Sequence, residues 1–126
     1  MSSVLVLAEH PEIEALLADL VLFAGYHPVF VRADETAVDA LRRRAIDVLL
    51  IDAATPPITR CACEDTARER AAGVVYFAST MNAAELRAFA EVREGRHFAL
   101  PNGPKMLRAV LDDATRSLGR GPGSPT

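Results

Sequence analysis

Three largely apolar runs constrain this chain more than any other feature: SVLVLA at 3–8, DVLLID at 47–52 and GVVYFA at 73–78. A strand with one wet face alternates apolar and polar side chains. A run without alternation marks a strand covered on both faces, as in a parallel sheet between two layers of helices. Two weaker runs, PVFVR at 28–32 and HFAL at 97–100, read as further strands.

Between the runs the period changes to that of a helix. After the first strand, Pro11 stands where an opening turn tolerates it, and Ile13, Leu16, Leu17, Leu20 and Val21 follow on one face. Gly25 ends that helix. Asp34 is read as the cap of a second helix carrying Val38 and Leu41, with Arg42, Arg43 and Arg44 suiting its C-terminal dipole. Residues 53–59 contain Pro56-Pro57 and read as loop, followed by a third helix at 60–72. Its inner face holds only Cys63, Ala67 and Ala71, the thinnest of the set. Asn82 and Glu85 form a capping pair for a fourth helix ending near Gly95. Gly103-Pro104 opens a fifth, with Leu107, Val110, Leu111, Ala114 and Leu118 on one face. Residues 119–126 (GRGPGSPT) read as a low-complexity, disordered tail.

Five strands alternating with five helices predict an α/β fold: a doubly wound five-stranded parallel sheet in the order 2-1-3-4-5, with helices on both faces. Function in such sheets collects at the carboxyl ends of the strands. Those ends present Glu9 and His10, Arg32 and Ala33, Asp52, Ala78 and Ser79, and Leu100. The first and third strands are neighbours in this order, so Glu9 and Asp52 are the first place to look for chemistry.

Composition removes several classes. The chain is 126 residues long with a formal net charge of -3, which disfavours nucleic acid as its main partner. No apolar run is long enough to span a membrane and Met1-Ser2-Ser3 is no positive leader, so a cytoplasmic protein is expected. Cys61 and Cys63 are too close for an ordinary intrachain disulfide, and two cysteines without a second pair do not make a zinc site.

The segments VLVLAEHP at 4–11 and DVLLIDAATP at 47–56, with Leu100-Pro101 and Gly103-Pro104 after them, stand in the order and spacing of one known family. The chain resembles the CheY-like receiver domain of two-component response regulators, from about residue 4 to residue 118. The resemblance implies a flavodoxin-like receiver fold over residues 1–118, signalling through protein partners in a phosphorelay, and no enzymatic activity of its own. It places Asp52 at the phosphoacceptor position, where a carboxylate attacks a phosphodonor and forms an acyl phosphate. It also places Glu9, Asp52 and the backbone carbonyl of Ala54 around a Mg²⁺ ion.

Other positions depart from that pattern. The acidic pair reads Ala8-Glu9, so one carboxylate is missing and Mg²⁺ binding should be weak. The switch hydroxyl falls on Ala78, with Ser79 and Thr80 just after it. The aromatic switch position falls on His97, a residue the family tolerates there. The family's Lys position is Leu100. The only lysine of the chain, Lys105, lies five residues further on, so the Lys is lost rather than misaligned.

The expectation is therefore an atypical receiver, or pseudo-receiver, that works by docking and has little or no phospho-switching. Helix four, strand five and helix five form the family's usual docking or dimerisation face, and their mixed charges suit a protein partner or a homodimer. Two alternatives stay open. One is a working receiver phosphorylated on Asp52 by a histidine kinase with Mg²⁺. The other is a flavodoxin-like binder of a small ligand, although no glycine-rich phosphate loop follows the first strand. Glu9, His10 and Asp52 are also weighed as a transition-metal set, against His10 merely opening the first helix. Arg60 is weighed as an anion-seeking substitute for the lost Lys, against a solvated loop arginine.

Overall fold

The structure is a computed structural model that describes residues 2–100 and 102–120. Five strands alternate with five helices: β1 (Ser3–Leu7), α1 (Pro11–Phe23), β2 (His27–Val29), α2 (Ala37–Arg43), β3 (Val48–Asp52), α3 (Pro57–Glu69), β4 (Gly73–Ala78), α4 (Ala83–Val92), β5 (Arg96–Ala99) and α5 (Pro104–Arg120). The strands form one sheet in the order β2-β1-β3-β4-β5, and every pairing is parallel. This is the doubly wound topology that the uninterrupted apolar runs predict.

Strand side chains alternate between faces, so each strand feeds two cores. Val4, Val6, Val48, Leu50, Val75, Phe77 and Phe98 face α1 and α5, meeting Leu17, Val21, Leu107 and Leu111. Leu5, Leu49, Ile51, Tyr76 and Ala78 face the other way, against Leu41 of α2, Cys63 and Ala67 of α3, and Leu86 and Ala90 of α4. All five residues of β3 are buried, as the middle strand of a covered sheet requires. Each fully buried Leu, Val or Phe contributes about 1.5–3 kcal/mol of transfer free energy, so the strands carry most of the folding drive.

Local chemistry moved several boundaries. The ladder of β2 stops at Val29, short of Arg32, because the next backbone groups pair with side chains. Arg44 Nη1 donates to the carbonyl of Phe30 at 2.8 Å, and the N–H of Arg32 donates to Glu35 at 3.0 Å. The cap of α2 is Thr36, not Asp34. Thr36 and Asp39 each accept the other's backbone N–H at 3.1 Å, which satisfies two N-terminal donors at once.

α3 begins at Pro57 rather than Arg60, with Pro56 as its N-cap. A proline in the first turn gives up only an N–H that the helix leaves unbonded there. The same helix ends at Glu69, before the left-handed Ala71 (φ 56°), whose side chain is exposed. Ala71 is therefore not part of the inner face. Arg60, Glu64 and Thr66 are buried instead. Asn82 and Glu85 do form the capping box of α4. Gly25 has φ +88° and follows α1 as expected. α5 continues through Gly119 and Arg120, two residues into the segment expected to be tail. The core-facing role of Leu118, the residue Pro101 and the rest of the tail, 121–126, lie outside the described residues.

Candidate functional site

The parallel register places the ends of β1 and β3 side by side, with Leu7 opposite Ile51. Asp52 is the last residue of β3 and is 2 % exposed. Backbone amides hold its carboxylate: Ala54 N–H donates to Oδ1 at 2.9 Å and Glu9 N–H donates to Oδ2 at 3.3 Å. The structure therefore brings Asp52 and Glu9 together, but through the main chain of Glu9. The residue Glu9 is itself exposed, as are His10 and Ala54.

Among the described residues, no group of three or more His, Cys, Asp and Glu gathers around a common point. The Glu9–His10–Asp52 transition-metal set does not form, because His10 is the exposed N-cap of α1. For Mg²⁺, the available donors are one buried carboxylate already engaged by two amides, one exposed glutamate and one backbone carbonyl. Ala8 contributes a methyl group where a second carboxylate would stand. Mg²⁺ keeps several of its waters and takes only one or two carboxylates from a protein, so this donor set fits it but weakly, with Asp52 already engaged by amides and Glu9 exposed.

Two of the positions singled out around Asp52, Ala78 and Leu100, are apolar. Leu100 is half-buried and packs against the core shared with α1 and α5. Lys105 is exposed in the first turn of α5. Ala78 ends β4 with 4 % exposure, and Ser79 and Thr80 are exposed beyond it. His97 lies on β5 in register with Tyr76. It lines a shallow groove of about 230 Å³ with Ala109, Val110 and Asp113 of α5. Around the α4–β5–α5 face, Val92 at the end of α4, beside Arg68 of α3, is 81 % exposed and Met106 in the first turn of α5 is 52 % exposed. The charges of α4 and α5 pair within the chain, as Arg87–Glu91 at 3.0 Å and Arg108–Asp112 at 3.8 Å, and such exposed pairs contribute little stability.

Sequence reasoning missed a second polar centre, on the opposite side of the sheet from α1 and α5. Glu64 on α3 is 6 % exposed and accepts a short hydrogen bond from the Tyr76 hydroxyl of β4. Arg60 Nε lies 3.6 Å and Arg93 Nε 4.0 Å from its Oε2. The Arg93 guanidinium stacks 3.6 Å from the Phe89 ring centroid, and Phe89 meets Tyr76 edge-on at 5.3 Å. Burial, then the Glu64 carboxylate, holds the Tyr76 phenol well above its ordinary range. Burial likewise raises the Cys63 thiol, with Glu64 adding to it. Arg60 is thus a buried helix residue facing Glu64 and Phe89, neither a loop arginine nor an anion hook. The available signal was the thin apolar face of α3 together with an i,i+4 Arg60–Glu64 pair.

No protein-family model matches the chain, and no curated protein sequence matches it significantly. Solved structures do. A CheY-like response regulator receiver domain protein from Methanospirillum hungatei superposes with a TM-score of 0.72 at 12% identity, covering 97% of this chain and 99% of that one. The receiver domain of a sensor histidine kinase from Pseudomonas aeruginosa, with magnesium in its active-site cleft, gives 0.70 at 19% identity over 92% and 98%. A putative pilus assembly protein from Burkholderia thailandensis gives 0.68 at 25% identity over 93% and 100%. The fold is that of the CheY-like receiver domains. No helix among the described residues is long and apolar enough to cross a membrane.

Proposed function

We propose that this chain is a receiver-fold signalling module, without enzymatic activity, that acts by docking a protein partner rather than by a phosphoryl switch. The observation that carries this reading is the environment of Asp52. Its carboxylate is buried and held by two backbone amides, while Ala8 and Leu100 stand where the family's second acid and lysine would be. Acyl phosphate chemistry needs positive charge to neutralise the phosphoryl oxygens. Here Leu100 brings carbon and the donor set would hold Mg²⁺ only weakly.

The docking surface is the α4–β5–α5 face, where the groove lined by His97, Ala109 and Val110 offers apolar surface beside internally paired charges. The neighbour at 25% identity is a putative pilus assembly protein, which supports use of this fold as an assembly part. A second copy of the chain is one candidate partner, and sedimentation of the wild type against Ala109→Arg, in the groove of that face, tests it.

The decisive experiment is incubation with Mg²⁺ and acetyl phosphate followed by intact-mass measurement. No mass gain is expected. A gain of one phosphoryl group that disappears in Asp52→Asn would establish the alternative, a working receiver phosphorylated on Asp52 with Mg²⁺ held by Glu9 and the Ala54 carbonyl.

A further inference from the structure

A helix that covers one face of a sheet needs one apolar stripe, and α1 carries more than that. Leu17 and Val21 are buried, and Ile13 and Leu20 pack on the edge of the same core. Beyond them Leu16 is 45 % and Phe23 79 % exposed. They stand four residues before and three after Leu20, so the three lie along one side of the helix. Single exposed apolar side chains are ordinary, but a row over two turns marks a surface that something covers. Glu14, on the opposite flank of α1, lines a cleft with Val31 and Ala37 beyond β2. The Leu16–Phe23 flank is therefore the one turned toward α5.

Charge divides across that surface. α1 has Glu12, Glu14 and Asp19 and no basic residue at all. Glu12 and Asp19 are exposed four residues before and three after Leu16, on the solvent side of the row. On α5, Asp112 accepts a short hydrogen bond from the hydroxyl of Tyr26, just past α1, which ties the two helices into one surface. Arg108 and Arg116 stand one turn before and one turn after Asp112, and both are exposed. The face thus has acids along α1, guanidiniums along α5 and an apolar row between them.

We propose that a second copy of this chain covers this face, in a two-fold dimer whose axis runs along α1. Such an axis exchanges the two sides of the face. The Glu12 and Asp19 edge of each copy then meets the Arg108 and Arg116 edge of the other, over a shared centre of Leu16 and Phe23. An antiparallel pairing of the two α1 helices would instead set Glu12 and Asp19 of one copy against those of the other. A partner of a single charge sign would be opposed by one edge or the other, which favours a copy of the chain over a different protein. Phe23 is the anchor, since a large rigid ring buries much area and has little conformational freedom to lose. This dimer stands whether or not the α4–β5–α5 face docks a partner.

Sedimentation equilibrium tests it. The wild type should show a monomer–dimer equilibrium with a Kd between about 10 µM and about 1 mM. Phe23→Gln, at a side chain the fold leaves in solvent, should weaken dimerisation by about tenfold or more. Val92→Gln, an equally exposed apolar side chain at the end of α4, should leave it unchanged. Two charge-reversed chains give the sharper arm: Glu12→Arg/Asp19→Arg and Arg108→Glu/Arg116→Glu. Each alone sets like charges against each other on both sides of the dimer and should be monomeric. An equimolar mixture of the two should dimerise about as well as the wild type. Phe23→Gln carries the test if circular dichroism shows that a charge-reversed chain does not fold. A wild type that is monomeric at about 1 mM overturns the proposal. So does a dimer that Phe23→Gln leaves intact, since it must use another face such as α4–β5–α5, and so does a mixture of the two folded variants that stays monomeric.

Discussion

Two carboxylates, Asp52 and Glu64, are buried in this molecule in opposite ways. Asp52 ends a strand, and its partners are the backbone amides of Ala54 and Glu9. Glu64 sits within a helix, and its partners are side chains from three elements: Arg60 beside it on α3, Tyr76 on β4 and Arg93 at the end of α4. Main-chain donors stay in place whatever the side chains do, so replacing the first carboxylate costs at most the two amide bonds it accepts and moves no other side chain. The second is interlocked with aromatic and guanidinium groups that depend on it in turn. The strand-end site is free to change its chemistry, while the Glu64 centre ties α3 and α4 to the sheet.

The largest break in that comparison should come from Tyr76→Ala. It removes a fully buried ring that Phe89 and Glu64 both contact, and it should cost about 3–5 kcal/mol in urea denaturation. Glu64→Ala should cost about 2–4 kcal/mol, because Arg60 and the Tyr76 hydroxyl then stay buried without their partner. A loss below that of an ordinary surface substitution would mean that the cluster holds nothing together.

Gly95→Ala probes the same centre from outside. A Cβ there would stand 2.5 Å from Tyr76 Cε2 and 2.9 Å from its Cδ2, so the ring must move. The expected cost is about 1–3 kcal/mol, and it should shrink in a Tyr76→Leu background if the ring is the obstacle.

The pH profile gives a smaller effect with a fixed sign. The Tyr76 phenol titrates above its ordinary value of 10.0 in the folded chain, mainly through burial and then through Glu64. Tyr26 is raised too, by burial and by its hydrogen bond to Asp112. Below pH 10 both phenols are protonated, folded or not, and their contribution is fully present. Above it the unfolded chain releases its protons first, so stability falls as pH rises. Denaturation midpoints measured across that range should be flatter in Tyr76→Phe than in the wild type, with Tyr26 supplying the remaining slope.

The smallest effect is expected at the other carboxylate. Asp52→Asn keeps an oxygen for the Ala54 N–H and loses the longer 3.3 Å bond from the Glu9 N–H, and should cost about 1 kcal/mol. A loss as large as that of Glu64→Ala would show that the strand end is structural after all, and would erase the contrast.

Much of this architecture was legible in the residues. The runs at 3–8, 47–52 and 73–78 could belong only to strands covered on both faces, and the Asn82–Glu85 spacing announced the start of α4. The misreadings share one cause, competition between local signals. Asp34 and Thr36 are both plausible caps, and the choice went to Thr36 because Asp39 stands three residues later to close the box. Pro56-Pro57 reads as loop in isolation, yet serves as the entry to α3.

The candidate site was legible in its positions and opaque in its surroundings. Residue order alone placed Asp52 and Glu9 at adjacent strand ends, and the count of a single lysine established that Leu100 has no displaced substitute. Those conclusions need only chain order and residue identity. The amide cradle of Asp52 and the knot around Glu64 required the tertiary structure. The bonds from Glu9 to Asp52 and from Tyr76 and Arg93 to Glu64 join residues far apart in the chain, through distances of a few ångströms that periodicity cannot encode. What a side chain is was readable from the first residue onward; what stands beside it was decided only when the sheet closed and the helices packed over it.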